Sequence, residues 1–327
     1  MTLSIVAADR VRLLPPPPIP LLRTSSFPHA EREVHLGTLI RVCRGIVAST
    51  QLWKRLPPWE RYAARVHAVM MTHPDVVMCL ESAAVLLGLP VIGEPRDVHV
   101  LAVPGGTSRL SGGIRVHTTV GDRGLVGLGA TMVTSVIDTA IDLARARHPA
   151  AGLTIADASL RQESRLSVEA LVAHNESRLG SRGRRHARWA LHRANGDAET
   201  ALESVSRAAI EWLGFPEPVL QQVFTVNGEV DRSDMWWPYE RVIGEADGEL
   251  KYDGSLQDPI VALRREKARD KRLRTVASGI AHWSWTDVAR VAPMRSALMQ
   301  AGLRTIRAES SPELTTLGAL LSPRPTL

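Results

Sequence analysis

Residues 230–247, VDRSDMWWPYERVIGEAD, leave the backbone little choice. Apolar and polar side chains alternate along the run, the period of a half-buried β-strand, and Asn227-Gly228 just before it is a strong tight-hairpin signal. The run reads as two antiparallel strands. A two-residue turn at Tyr239-Glu240 would set Asp234 directly across from Glu245, and a one-residue slip would undo this. Side chains two apart on a strand share a face, so Glu245 and Asp247 point the same way. Three carboxylates on one spot repel one another in the absence of a cation, and hard oxygen ligands suit Mg2+ or Mn2+. Upstream, Glu199 and Glu203 fall in a predicted helix. With Arg207 they are spaced i, i+4, i+8, which also describes an exposed, salt-bridged helix face. Glu245 and Asp247 have a similar alternative, the solvent face of an edge strand. Residues 241–246 are apolar enough on both faces for an inner strand, where two acids need a partner or an ion.

The order of these residues resembles the restriction-endonuclease-like nucleases of the PD-(D/E)xK superfamily, specifically the branch of the very-short-patch repair endonuclease. That branch has a helical Glu, an Asp ending one strand, and an acid-x-Asp-Gly strand followed by His. Glu203 or Glu199 matches the helical acid, Asp234 the first strand acid, and Glu245, Asp247 and Gly248 the second strand. Lys251 stands where His is usual, and Asp247 where the wider superfamily has Lys. The resemblance covers residues 197–303 and implies a metal-dependent endonuclease-like domain. Asp234, Glu245 and Asp247 would hold Mg2+ or Mn2+, Glu203 would orient water or a second metal, and Lys251 would stabilise charge on the phosphate.

Charge is distributed unevenly. From Gly196 onward 16 Lys and Arg face 19 acids, a balance of −3, so the first 195 residues hold 24 against 15, a balance of +9. A basic front half fits a grip on phosphate backbone. Lys is rare beside Arg, as in proteins from high-GC genomes, so charge alone points only weakly to nucleic acid. The two cysteines, Cys43 and Cys79, have no metal or redox spacing and fit a reducing compartment. No signal peptide and no membrane-spanning run is evident, so a cytoplasmic protein without a membrane partner is expected.

The front half opens on Leu14-Pro-Pro-Pro-Pro-Ile-Pro20, an extended polyproline tract expected to form a loose arm. A short hairpin turning at Gly45 follows, then helices at 60–72 and 79–87, the second stopping at Gly88. Strands are expected at 97–104 and 114–119, joined by a hairpin turn at Gly105-Gly106, which lacks the Lys-Ser/Thr of a nucleotide loop. Helices are expected at 135–145, 154–161 and 168–174, with Asp138 and Asp142 making local contacts. CRGIVAS, HAVMMTHPDVVMCLESAAVLLGLPV, DVHVLAV and ADASLR resemble the AbiEi-type antitoxins of type IV toxin–antitoxin systems, with Ser82 to Pro90 matching their Ser-Ala-Ala-x-x-x-Gly-Leu-Pro ending. The resemblance implies a DNA-binding regulator with a cognate toxin partner. A proline tract stands where the helix-turn-helix belongs, so the winged-helix-like part is degenerate.

Residues 178–193, RLGSRGRRHARWALHR, are the densest basic run, with six Arg and two His. A helix here would spread Arg184, Arg185 and Arg188 over one face. Arg178, Arg182, Arg184, Arg185 and Arg188 are candidate contacts to DNA phosphates, or the solvated face of a linker helix. The expected fold class is α/β (α+β). The expected division is a proline-rich arm (1–28), an AbiEi-like α/β domain (29–177), a basic linker helix (178–195), an endonuclease-like mixed-sheet domain (196–303) and a tail (304–327). DNA is the expected partner, in phage defence or repair. The alternative is a non-catalytic regulator or antitoxin.

Overall fold

The computed structural model describes residues 3–5, 13–102, 105–248 and 259–322. The chain is mixed α/β, with helices and mixed sheets in two units, Met1–Ala194 and Asn195–Leu327.

In the first unit, a seven-stranded sheet runs in the order Leu3–Ile5, Arg123–Leu128, Thr131–Thr134, Val77–Met78, Val98–Leu101, Ile114–His117, Arg109–Ser111. Its core joins strand residues such as Met78, Val100 and Val133 to Ile141, Ile155, Leu171 and Leu191 from four later helices. A three-stranded sheet, ordered Leu22–Arg23, Ile46–Ser49, Leu39–Cys43, precedes them, turning at Gly45 as its φ of 83° allows.

Several expectations need correction here. The arm at 1–28 is not loose where it is described: Leu22 and Arg23 pair with Val47 and Ile46. Ile19 is buried against Ala48, Leu56 and Ala64, because an apolar residue among prolines still gains by leaving water. Strands Val98–Leu101 and Ile114–His117 pair in parallel, so Gly105-Gly106 cannot be the hairpin turn between them. The tight turn is Gly112-Gly113, both at positive φ, and it returns Arg109–Ser111 antiparallel onto Ile114–His117. The helix Arg184–His192 belongs to the first unit, where Ala187, Ala190 and Leu191 are buried at helical spacing. A free linker would expose that stripe.

The second unit opens with the helix Ala201–Trp212, whose N-cap Thr200 accepts the backbone N–H of Glu203 at 3.1 Å. A four-stranded sheet follows in the order Val219–Val226, Glu229–Trp237, Val242–Ala246, Gly279–Trp283. The first three strands are antiparallel, and the last pairs in parallel after the helix Pro259–Val276. Trp237 and Trp283 lie buried beneath Gly244, where an added Cβ would stand 2.5 Å from the Trp283 ring. Each indole N–H is satisfied, that of Trp283 by Ser206 Oγ and that of Trp237 by the Pro216 carbonyl, both at 2.7 Å. The first of these bonds pins the helix Ala201–Trp212 to the sheet. Residues 304–327, expected as a tail, include the helix Ser311–Leu321. Leu314 and Leu317 sit one turn apart on it and are buried.

Candidate functional site

The central hairpin keeps the register read from the alternation. Met235 pairs with Gly244, Trp236 with Ile243 and Trp237 with Val242, and one further step sets Asp234 across from Glu245. The connection is longer than expected, residues 238–241 instead of two, and it ends on Arg241 at a φ of 54°. The change leaves the pairing untouched.

Asp234 Oδ2 accepts the backbone N–H of Ala246 at 2.9 Å, which ties the carboxylate to the neighbouring strand. Glu245 is buried, and its Oε1 accepts from Arg269 Nη2 at 2.9 Å. Burial pushes the Glu245 carboxyl up to about 7, and Asp234 raises it further against the pull of Arg269. Asp234 is also raised, first by burial, with Asp247 and Glu199 adding to the effect.

Glu203 is buried in the first turn of its helix. Its Oε2 accepts the Glu199 backbone N–H at 2.9 Å and Gln221 Nε2–H at 2.8 Å. Its carboxyl is raised by burial, and Asp234 adds to that. Asp234 is thus close enough to Glu203 and to Glu245 to oppose the ionisation of each. Glu199 is exposed and paired with Arg232 at 2.7 Å.

Asp247 is on the same side as Glu245, reaching His282, the residue paired with Glu245, but it is more exposed. It lies just past the strand, about half exposed, with its Oδ2 2.9 Å from His282 Nδ1. Lys251 lies outside the described residues.

Sequence reasoning missed four residues at this site. His282 stands beside Glu245 in the parallel pairing, and its imidazole is raised first by the hydrogen bond to Asp247. Asp270 Oδ2 approaches His282 Nε2 to 3.7 Å, while Asp270 Oδ1 is buried without a hydrogen-bond partner. Gln221 sits opposite Asp234 in strand register with a φ of 52°, uncommon for a non-glycine residue, and its Oε1 is also buried and unpaired. Arg269 is the fourth. His282 is the one histidine after residue 192, and that was the available signal.

This donor set suits a hard divalent cation: buried or half-buried carboxylates whose acidity is lowered by burial, and two orphaned side-chain oxygens, all oxygen ligands. As they stand, no three His, Cys, Asp or Glu side chains among the described residues form a group that could hold a metal. A guanidinium partly fills the cation's role at Glu245.

The five arginines of the basic run have different fates. Arg178 is buried, with Nη2 on Asp138 and Nη1 on Asp142. Asp138 therefore makes a long-range ion pair in addition to its local bond with Ser135, and Asp142 pairs with two arginines far away in the chain, Arg123 and Arg178. Arg184 is partly buried and donates to the Arg178 and Gly180 carbonyls. Arg188 is exposed and pairs with Glu176 at 2.8 Å, and Arg182 and Arg185 are exposed. Among the described residues no helix is long and apolar enough to cross a membrane.

Fold and site together define a class: a two-unit mixed α/β protein whose second unit carries a carboxylate cluster on a mixed four-stranded sheet. The chain belongs to the family of two Mycobacterium tuberculosis proteins, uncharacterized protein Rv2248 (strain ATCC 25618 / H37Rv) and uncharacterized protein MT2308 (strain CDC 1551 / Oshkosh). Each is 31% identical to it over 261 residues, 79% of this chain and 90% of the relative. No protein-family model matches the chain, and no solved structure matches it.

Proposed function

We propose that this protein binds DNA and that its second unit is a metal-dependent, endonuclease-like domain that hydrolyses phosphodiesters, serving phage defence or repair. One observation carries the reading: Glu203 and Glu245, from a helix and a strand, are buried, and half-buried Asp234 on the adjacent strand lies within electrostatic reach of both. Buried carboxylates in such numbers are costly unless a cation or a proton compensates them. Asp234 and Glu245 would hold Mg2+ or Mn2+ with Asp247 at the rim, and the ion would supply Lewis-acid polarisation of a phosphate oxygen. Glu203 would orient water. His282, between the carboxylates of Asp247 and Asp270, is placed to take up or return a proton. The test is plasmid nicking with Mg2+ or Mn2+ by the full chain against Asp234→Ala. Metal-dependent nicking that the substitution abolishes supports the reading, and no nicking with either ion refutes the enzyme.

A second reading has its own observation. Glu245 is already paired with Arg269, and no three-ligand metal group stands assembled among the described residues. This favours a non-catalytic regulator or antitoxin of the type IV toxin–antitoxin kind, keeping the nuclease-like fold for DNA contact. A gene for a nucleotidyltransferase-like toxin beside this one, and neutralisation of that toxin on co-expression, would support it.

A further inference from the structure

The contact that sets the two readings apart also points to how the acidic site is controlled. Arg269 lies on the helix Pro259–Val276 and reaches the strand Glu229–Trp237 and its neighbour at once. Its Nη2 donates to Glu245 Oε1 at 2.9 Å and to the Arg232 carbonyl at 2.5 Å. Three residues on, Arg272 grips Asp231 with both Nε and Nη2 at 2.7 Å. Residues i and i+3 share a helix face, so the two arginines form one row clamped to the sheet. The rungs differ in purpose. Arg272 holds an acid outside the proposed metal-binding set, whereas Arg269 holds a central member of it.

A divalent ion binds a carboxylate oxygen at about 2.1 Å. A guanidinium nitrogen on the same carboxylate would put two cationic groups within about 5 Å of each other, beside a carboxylate that is itself buried. Glu245 cannot serve both well. Its side chain is 6% exposed, while Arg269 is 28% exposed and so is the partner nearer to water. Arg272 would keep the helix docked while Arg269 moved.

We infer that Arg269 is the site's internal counter-cation, competing with a divalent metal ion for Glu245, so that loading the ion requires the guanidinium to leave. The inference rests on the metal-site reading above. It makes the metal-free chain a charge-balanced resting state and weakens its affinity for the ion below what the acids alone would give.

The test is calorimetric titration of Mn2+ into the full chain near pH 7.5, comparing wild type, Arg269→Gln and Asp234→Ala. Arg269→Gln should bind Mn2+ about tenfold or more tighter than wild type, the scale of one charge-assisted hydrogen bond. Asp234→Ala should bind more weakly. Equal affinity in wild type and Arg269→Gln overturns the competition and leaves the metal site standing. Absence of Mn2+ binding sensitive to Asp234 removes the metal site and the inference with it. Should Arg269→Gln fail to fold, wild type alone decides. Phenylglyoxal labelling of Arg269, mapped by mass spectrometry, should rise when Mn2+ is added, and unchanged labelling under saturating Mn2+ overturns the proposal.

Discussion

Replacing Arg178 by Met should destabilise the first unit without weakening any DNA grip. In sequence Arg178 begins the basic run. In the fold its side chain is 5% exposed and holds Asp138 and Asp142 together. Asp138 also accepts from Gly124 N–H and Ser135 Oγ–H, both at 2.8 Å, and lies 3.0 Å from His174 Nε2. Burial alone would raise its carboxyl. The His174 hydrogen bond, the Arg178 charge and the Ser135 hydroxyl override it and hold the group at about 2 instead of 3.8. At about 1.4 kcal/mol per pH unit, that depression is worth about 2 kcal/mol for the set of partners. Losing one partner of a buried pair costs about 3–5 kcal/mol. With His174 still on Asp138 and Arg123 still on Asp142, the low end, about 3 kcal/mol, is expected. Native-state hydrogen exchange in the helix Val136–Ala146 isolates this unit, and a loss of that size should speed exchange roughly a hundredfold. The pH dependence has a definite sign. A depressed carboxyl contributes stability that is present above 3.8 and lost as pH falls through about 2, so the gap between wild type and variant should narrow across that window. Protection within a few-fold of wild type, together with a fall in DNA affinity, would refute the argument and return Arg178 to the surface.

Two further expectations are independent of that cluster. Gly244→Ala should lower thermal stability by about 1–3 kcal/mol in a melting experiment, because its Cβ would press on the rings of Trp283 and Trp237; an unchanged melting temperature would mean the two indoles part easily. Exposed Arg188 is held by Glu176, and Arg182 and Arg185 are the run's other exposed arginines, so reversing both of their charges should flatten the log-log salt dependence of DNA affinity by about 1.8, two phosphates' worth. An unchanged slope in fluorescence anisotropy would make the run a purely structural part of its unit.

The hairpin was legible because its information is local. Alternation at period two specifies which face each side chain takes, so Asp234 could be set across from Glu245 before any fold was known, and a connection longer than foreseen left that register alone. His282 was not legible. It meets Glu245 only because strands Val242–Ala246 and Gly279–Trp283 pair in parallel across a helical connection, and no period carries register over that separation. Asp247 shows what the strand rule leaves out: it reaches the same His282 that pairs with Glu245, but past the strand end it is about half exposed, and burial is not set by alternation. The arginines show the limit of charge reading. A run of like charge looks solvated, yet helix packing set Asp138 and Asp142 against Arg178 and Glu176 against Arg188, leaving Arg182 and Arg185 exposed. Patterning over a few residues determined the strands, helices and the first pair of acids. Which charges meet depends on packing between segments far apart in the chain, and only the tertiary structure decided that.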